Sequence, residues 1–154
     1  MNKTLKSVLY IVAVVTVVYF GNKGVQSYLG KQAVGDLSFT VHELDEAKAI
    51  AAKEGKLVLA DYSAIWCPSC RKLDKEVFAN KNVANSIDTN FIYTRLEHDT
   101  EQGNAFARQY DLVGFPRVLV LDPEGNQLVE MPLTFDPVEY EFNLDRVVDS
   151  LTLK

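Results

Sequence analysis

The sequence predicts an α/β domain: one mixed sheet with helices on both faces, preceded by an N-terminal hydrophobic anchor. Three observations carry this. Apolar runs of strand length alternate with segments of helical periodicity through the first two thirds of the chain. Two later runs, "RVLVLD" and "QLVEMPL", flank "PEGN" as a hairpin. Before all of these, Lys3 and Lys6 lead into "VLYIVAVVTVVYF" (8–20), which has no charge until Lys23.

A basic start before so long an apolar run reads as a secretory signal or a signal anchor. The stretch between Lys6 and Lys23 is slightly short of the ~20 residues that span a bilayer, a gap that snorkelling lysines close. Ala33-Val34-Gly35 has the small residues of a cleavage site but lies far from the apolar run. An uncleaved anchor over residues 1–20 is therefore expected, with signal removal and a soluble exported domain as the alternative. Lys23 and Lys31 lie beyond the run and dilute any positive-inside bias. Residues 21–36, "GNKGVQSYLGKQAVGD", hold four glycines and no strong periodicity, and read as a tether.

The domain is expected over residues 37–154. "LSFTV" (37–41) reads as a short strand. "DEAKAIAAKEG" reads as a helix capped by Asp45 and closed by Gly55, with Ala47, Ile50 and Ala51 on one face. "LVLADY" (57–62) is a continuous apolar run of the kind buried on both sides of a sheet. A helix begins at Cys67 and runs to about Ala79, with Leu73 and Val77 inward; a shorter one carries Val83 and Ile87. "FIYTRLE" (91–97) is the next strand. "EQGNAFARQY" (101–110) is a helix weakened by Gly103. After the hairpin, Leu144, Val147, Val148 and Leu151 mark a last helix over 136–152. Alternation implies parallel strands with crossover helices, and the hairpin adds an antiparallel edge.

Composition is that of a globular protein, and 154 residues suit one domain with a core of its own. Four lysines precede Asp36, leaving residues 36–154 with 12 basic and 21 acidic side chains, a net of −9. That balance speaks against nucleic acid, which wants a basic face.

Cys67 and Cys70, in "DYSAIWCPSC", are the only two cysteines. As a staple a bridge across two intervening residues contributes little, because the loop it closes is small. Zinc normally takes four ligands, and no second cysteine pair exists; His42 and His98 are distant in sequence, so no metal is assigned. Redox chemistry accounts for more of the local pattern. Between a buried strand and a helix start, Cys67 falls at the N-cap, where unpaired N–H groups and the dipole favour a thiolate. Pro68 suits the first helical position. Cys70 lies one turn on and less exposed, positioned to resolve a mixed disulfide formed by Cys67. Asp61, at the end of "LVLA", is expensive to bury as an anion, so its pKa should rise, and it could take and return the proton of Cys70. A solvated strand-end aspartate is the alternative.

Asp61, Trp66, Cys67 and Cys70, with "GFP" at 114–116, resemble the thioredoxin pattern of a buried aspartate, W-C-x-x-C and a later Gly-apolar-Pro. The resemblance spans residues 37–152 and implies a thioredoxin fold and a thiol–disulfide oxidoreductase without a cofactor. It implies that Pro116 is cis and that Phe115 offers its backbone to an extended substrate segment, beside Trp66. There are departures. Pro68-Ser69 replaces Gly-Pro between the cysteines, Lys75 stands near the place of a helix-kinking proline, and Arg95 stands where a lysine often lies near the aspartate. Arg117 follows Pro116 and is expected to favour acidic partners. "CRKLDKEVFANKNV" and "DPEGNQL" are closer to the C-terminal periplasmic domain of DsbD-type electron transporters. The function implied is exchange with protein disulfides in the periplasm, as a reductase resembling the reducing members, fed by a transmembrane thiol electron donor. An oxidant or isomerase with the same site, and a tethered peptide-binding or chaperone module without redox turnover, are the alternatives.

Overall fold

The computed structural model describes residues 3–152. In chain order the elements are α1 (Lys3–Gly35), α2 (Leu44–Glu54), β1 (Leu57–Ser63), α3 (Pro68–Leu73), α4 (Lys81–Asn90), β2 (Phe91–Glu97), α5 (Glu101–Gln109), β3 (Arg117–Leu121), β4 (Gln127–Glu130) and α6 (Pro137–Thr152). A π-helical turn, Asp74–Phe78, continues α3.

The sheet order is β2-β1-β3-β4. β1 runs parallel to β2, with Asp61 opposite Arg95, and antiparallel to β3, with Asp61 opposite Val118. β3 and β4 form the hairpin edge. The unbroken apolar run of β1 serves two cores because successive side chains point to opposite faces. Leu59 joins Phe78, Tyr93, Val120 and Leu144 on one side. Val58, Ala60 and Tyr62 join Ala47, Ala51 and Phe106 on the other. Phe78 stacks edge-on against Phe39, Tyr93 and Tyr140, locking the π-helical turn and α6 to the sheet.

Three expectations change. Residues 37–41 form no strand: the chain meets β2 only at the isolated bridge His42–Thr94, while Phe39 turns into the core against Phe78 and Tyr93. Burial of that ring displaces the ladder. Asp45 is not the cap of α2. Glu43 holds that position without a side-chain hydrogen bond, and Asp45 lies in the first turn, where its charge suits the helix dipole. Gly55 closes α2 in the left-handed conformation, φ 68°, as expected.

The third change concerns residues 21–35, which are helical, the continuation of α1. Glycine in a helix interior costs roughly 1 kcal/mol each relative to alanine. Packing offsets that cost: Gly30 and Ala33 are buried against the domain. Among the described residues α1 is the single helix long and apolar enough to cross a membrane.

Candidate active site

β1 delivers the chain to a tight loop, and α3 starts immediately after it. Cys67 is the N-cap of α3 in an extended conformation, with Pro68 at the first helical position. The Cys70 backbone N–H donates to Cys67 Sγ at 3.3 Å, and the Ser69 hydroxyl lies 3.0 Å from the same sulfur. Both cysteines are free thiols, and Cys70 is fully buried. Proton donation by the Cys70 thiol, aided by the Ser69 hydroxyl and the N–H groups of Cys70 and Ser69, outweighs burial and lowers Cys67 to about 5. The same hydrogen bond to Cys67, then burial and the charge of Asp61, push Cys70 far up. The two sulfurs are thereby differentiated: one reactive anion at the helix end, one inward thiol that holds its proton.

Behind them lies a buried ionic cluster. Asp61 is fully buried; Ser63 Oγ donates to Oδ1 at 2.9 Å, and Tyr93 OH and Arg95 Nη1 each donate to Oδ2 at 2.9 Å. Burial raises the Asp61 carboxyl above the ordinary range, against the pull of Arg95, Ser63 and Tyr93. The same Arg95 nitrogen lies 3.0 Å from Asp74 Oδ1, and Arg95 Nε donates to Glu97 Oε1 at 2.7 Å. Glu97 Oε2 in turn accepts the Ile65 N–H at 2.8 Å, tying the cluster to the loop before Cys67. One guanidinium faces three carboxyl groups, so the cluster favours keeping a proton.

Asp74 was not singled out by its sequence, since "LDKEVF" reads as an ordinary amphipathic turn. It opens the π-helical turn one helical turn after Cys70, is buried, and its Oδ2 has no hydrogen-bond partner. Burial, and then the Asp61 charge, outweigh Arg95 and raise it to about 7. The π-helical turn stands where the related kinking proline is missing, Lys75 being exposed within it. Such turns recur at functional sites.

The Phe115–Pro116 bond is cis. Phe115 packs against the cluster of Ala64, Cys67 and Cys70, with its ring edge-on to Trp66 at 5.5 Å. His98, which no sequence motif marks as a site residue, joins Trp66 and Phe115 in a collar around Cys67: its ring lies 4.9 Å from Phe115 and its Nδ1 2.6 Å from Tyr62 OH. Its place just past the end of β2 was the available signal. His42 lies elsewhere, beside Glu46 on the far side of β2. A cleft of about 260 Å³ beyond Pro116 is lined by Val113, Arg117, Met131 and Leu133. Arg117 is paired with Glu130 at 2.6 Å, so the expected bias to acidic partners is not carried by a free cation. Among the described residues no three His, Cys, Asp or Glu side chains converge as a metal-ligand set.

Fold and paired thiols together define an α/β dithiol domain with two differentiated sulfurs at the end of its central strand. The chain belongs to the thioredoxin-like family, whose model, described as "Thioredoxin-like", matches residues 40–123. It is similar to "Thiol:disulfide interchange protein DsbD 2" of Pseudomonas aeruginosa, 37% identical over 89 residues, covering 55% of this chain and 15% of that protein. It thus spans under a sixth of that relative's length. In fold it resembles a thioredoxin from Thermus thermophilus (TM-score 0.65, 23% identity, 73% of this chain and 88% of that one). It also resembles the oxidised DsbD C-terminal domain of Neisseria meningitidis (TM-score 0.57, 22% identity, 70% and 98%).

Proposed function

We propose that the protein is a membrane-anchored thiol–disulfide oxidoreductase that exchanges electrons with protein disulfides through Cys67 and Cys70. The observation that carries this reading is the Cys67 sulfur at the α3 N-terminus, accepting from Cys70 and Ser69 and lowered to about 5. As thiolate, Cys67 attacks one sulfur of a substrate disulfide; a mixed disulfide forms and one substrate thiolate leaves. Cys70 then gives up its proton and attacks Cys67 Sγ. The mixed disulfide breaks, the second substrate thiolate leaves, and a Cys67–Cys70 disulfide remains. Asp61 takes the Cys70 proton within the buried cluster. Trp66, Phe115 and Pro116 form the substrate-facing collar around the sulfur.

The apolar half of α1 anchors the chain in the inner membrane, with the domain in the periplasm. In an oxidising compartment net reduction needs an electron donor, which we propose is a transmembrane thiol transporter. A second reading has a specific observation behind it. A thiolate stabilised to about 5 favours the reduced state, which makes the disulfide a stronger oxidant. The reduction potential decides: near about −270 mV the protein reduces, near about −120 mV it oxidises. The test of exchange itself is Cys70→Ser, which should accumulate covalent mixed disulfides through Cys67. Their absence, with Cys67 still alkylated normally, would overturn the reading.

A further inference from the structure

α1 has two halves with different surroundings. Residues 4–22 are all exposed, whereas from Lys23 one face turns to the domain: Lys23, Gln26, Ser27, Leu29, Gly30, Ala33 and Val34 are half-buried or buried. No linker separates the halves. The packed face begins at the first charge after the apolar run, and residues 4–22 alone extend roughly 29 Å at helical rise, the thickness of a bilayer core.

The contacts made by the packed half lie at the dithiol end of the domain. Lys23 Nζ is 3.1 Å from Asp99 Oδ2 and sits 4.8 Å from the centre of the Trp66 ring. Trp66 Nε1 donates to the same Asp99 oxygen at 2.6 Å. Gln26 accepts from Arg71, in the first turns of α3. Gly30 lies so near the loop before Cys67 that a Cβ there would come within 1.9 Å of the Ile65 carbonyl oxygen. Ile65, Trp66 and Arg71 bracket the two cysteines.

We infer that α1 holds the dithiol end of the domain down at the bilayer surface, so that its exchange partner is a membrane-embedded protein presenting its cysteines at the lipid–water boundary. This rests on the proposed exchange reading for what the site does, and on α1 as the anchor. Lys23 lies three residues past Phe20, so the Trp66 ring above it stands about one helical turn, ~5 Å, from the end of the apolar run. Lysine and tryptophan together suit that depth. A flexible tether would let the net-negative domain stand off an anionic membrane and turn its sulfur towards soluble proteins. The docked helix prevents both, and a soluble partner would have to enter between domain and lipid to reach Cys67.

Trp66 is the only tryptophan, so its emission reports the height of the site. In the full chain in phosphatidylcholine vesicles, nitroxide on the headgroups should cause a loss of Trp66 emission, and nitroxide at the acyl-chain ends should not. A flexible Gly-Ser insertion between Asn22 and Lys23 keeps every docking contact but uncouples the domain from the bilayer, and should restore emission. Gly30→Leu, which pushes α1 off the Ile65 loop, should do the same. Unchanged emission with headgroup nitroxide would overturn the inference, and because the measurement needs no thiol chemistry it stands apart from failure of the exchange reading. For the partner, the probe is a synthetic membrane-spanning peptide with a disulfide loop at its juxtamembrane end, compared with the same loop on a soluble peptide. The native chain should react faster with the anchored loop than with the soluble one, and the insertion variant should lose that advantage and react faster than the native chain with the soluble loop. Retention of that advantage by the insertion variant, or equal rates with both loops in the native chain, would overturn it.

Discussion

Asp61 and Asp74 share a single nitrogen: Arg95 Nη1 lies 2.9 Å from Asp61 Oδ2 and 3.0 Å from Asp74 Oδ1, all three side chains being almost entirely buried. Two carboxyl groups on one cation cannot both be ionised at low cost, so the protein stores a proton behind its cysteines. Arg95→Met leaves those acids without a counter-charge and should lose about 3–5 kcal/mol in urea unfolding. Both acids then need their protons to remain folded, so the loss should be greater at pH 8 than at pH 5. A loss independent of pH would mean that Arg95 acts by packing.

Asp74 titrates at about 7 in the folded protein against an ordinary 3.8. A raised folded pKa contributes stability that is fully present below the ordinary value and lost as pH rises through the folded one. Asp74→Asn keeps an acceptor for Arg95 and removes the titration. The variant should match the native melting temperature near pH 4 and exceed it by a few degrees at pH 8. A constant offset across that range would refute the role of Asp74 as the proton-holding acid.

Alkylation of Cys67 by iodoacetamide should reach half its maximum near pH 5, where its lowered pKa puts it. Ser69→Ala removes one donor to the sulfur, and the midpoint should rise by about one unit, the worth of a hydrogen bond to a charged group. A midpoint near that of a free thiol in the native protein would remove the helix-end stabilisation of Cys67.

Asp61→Asn keeps the size of the side chain but cannot accept the Cys70 proton. Release of the mixed disulfide should slow by about a hundredfold while its formation is spared. Stopped-flow with an excess of disulfide peptide separates the two steps; equal slowing of both would make Asp61 structural.

Gly103→Ala should destabilise by about 1–3 kcal/mol although alanine is the better helix former. A Cβ at Gly103 would lie 2.0 Å from the Glu97 carbonyl oxygen, and Glu97 holds the Ile65 N–H, so the strain reaches the dithiol loop. Circular-dichroism melts together with the Cys67 alkylation rate check both parts.

Gly103 illustrates how far the chain could be read directly. As a flaw in a helix it was visible in "EQGNAFARQY"; its close contact with the end of β2 was not. The strands were legible because buried strands need continuous apolar runs, as in "LVLADY" and "FIYTRLE". The N-cap position of Cys67 was legible because Pro68 and the preceding strand are local signals.

What the sequence by itself determined is therefore what neighbours along the chain decide: the strands β1 and β2, the helix start at the cysteines, the apolar half of α1 and the thioredoxin-like pattern. Tertiary structure alone decided the rest. Residues 21–35 look like a tether because the face that packs is mostly lysine, glutamine, serine, glycine and alanine, with Leu29 and Val34 too few to mark an apolar period, and its burial depends on Ile65, Trp66 and Asp99 meeting it. Asp74 looks solvated until Arg95 reaches it across the sheet edge. Residues 37–41 have the composition of a strand, yet Phe39 gains more by entering the core than by pairing with β2. In each case a local preference worth about 1 kcal/mol is overridden by burial against residues distant in the chain.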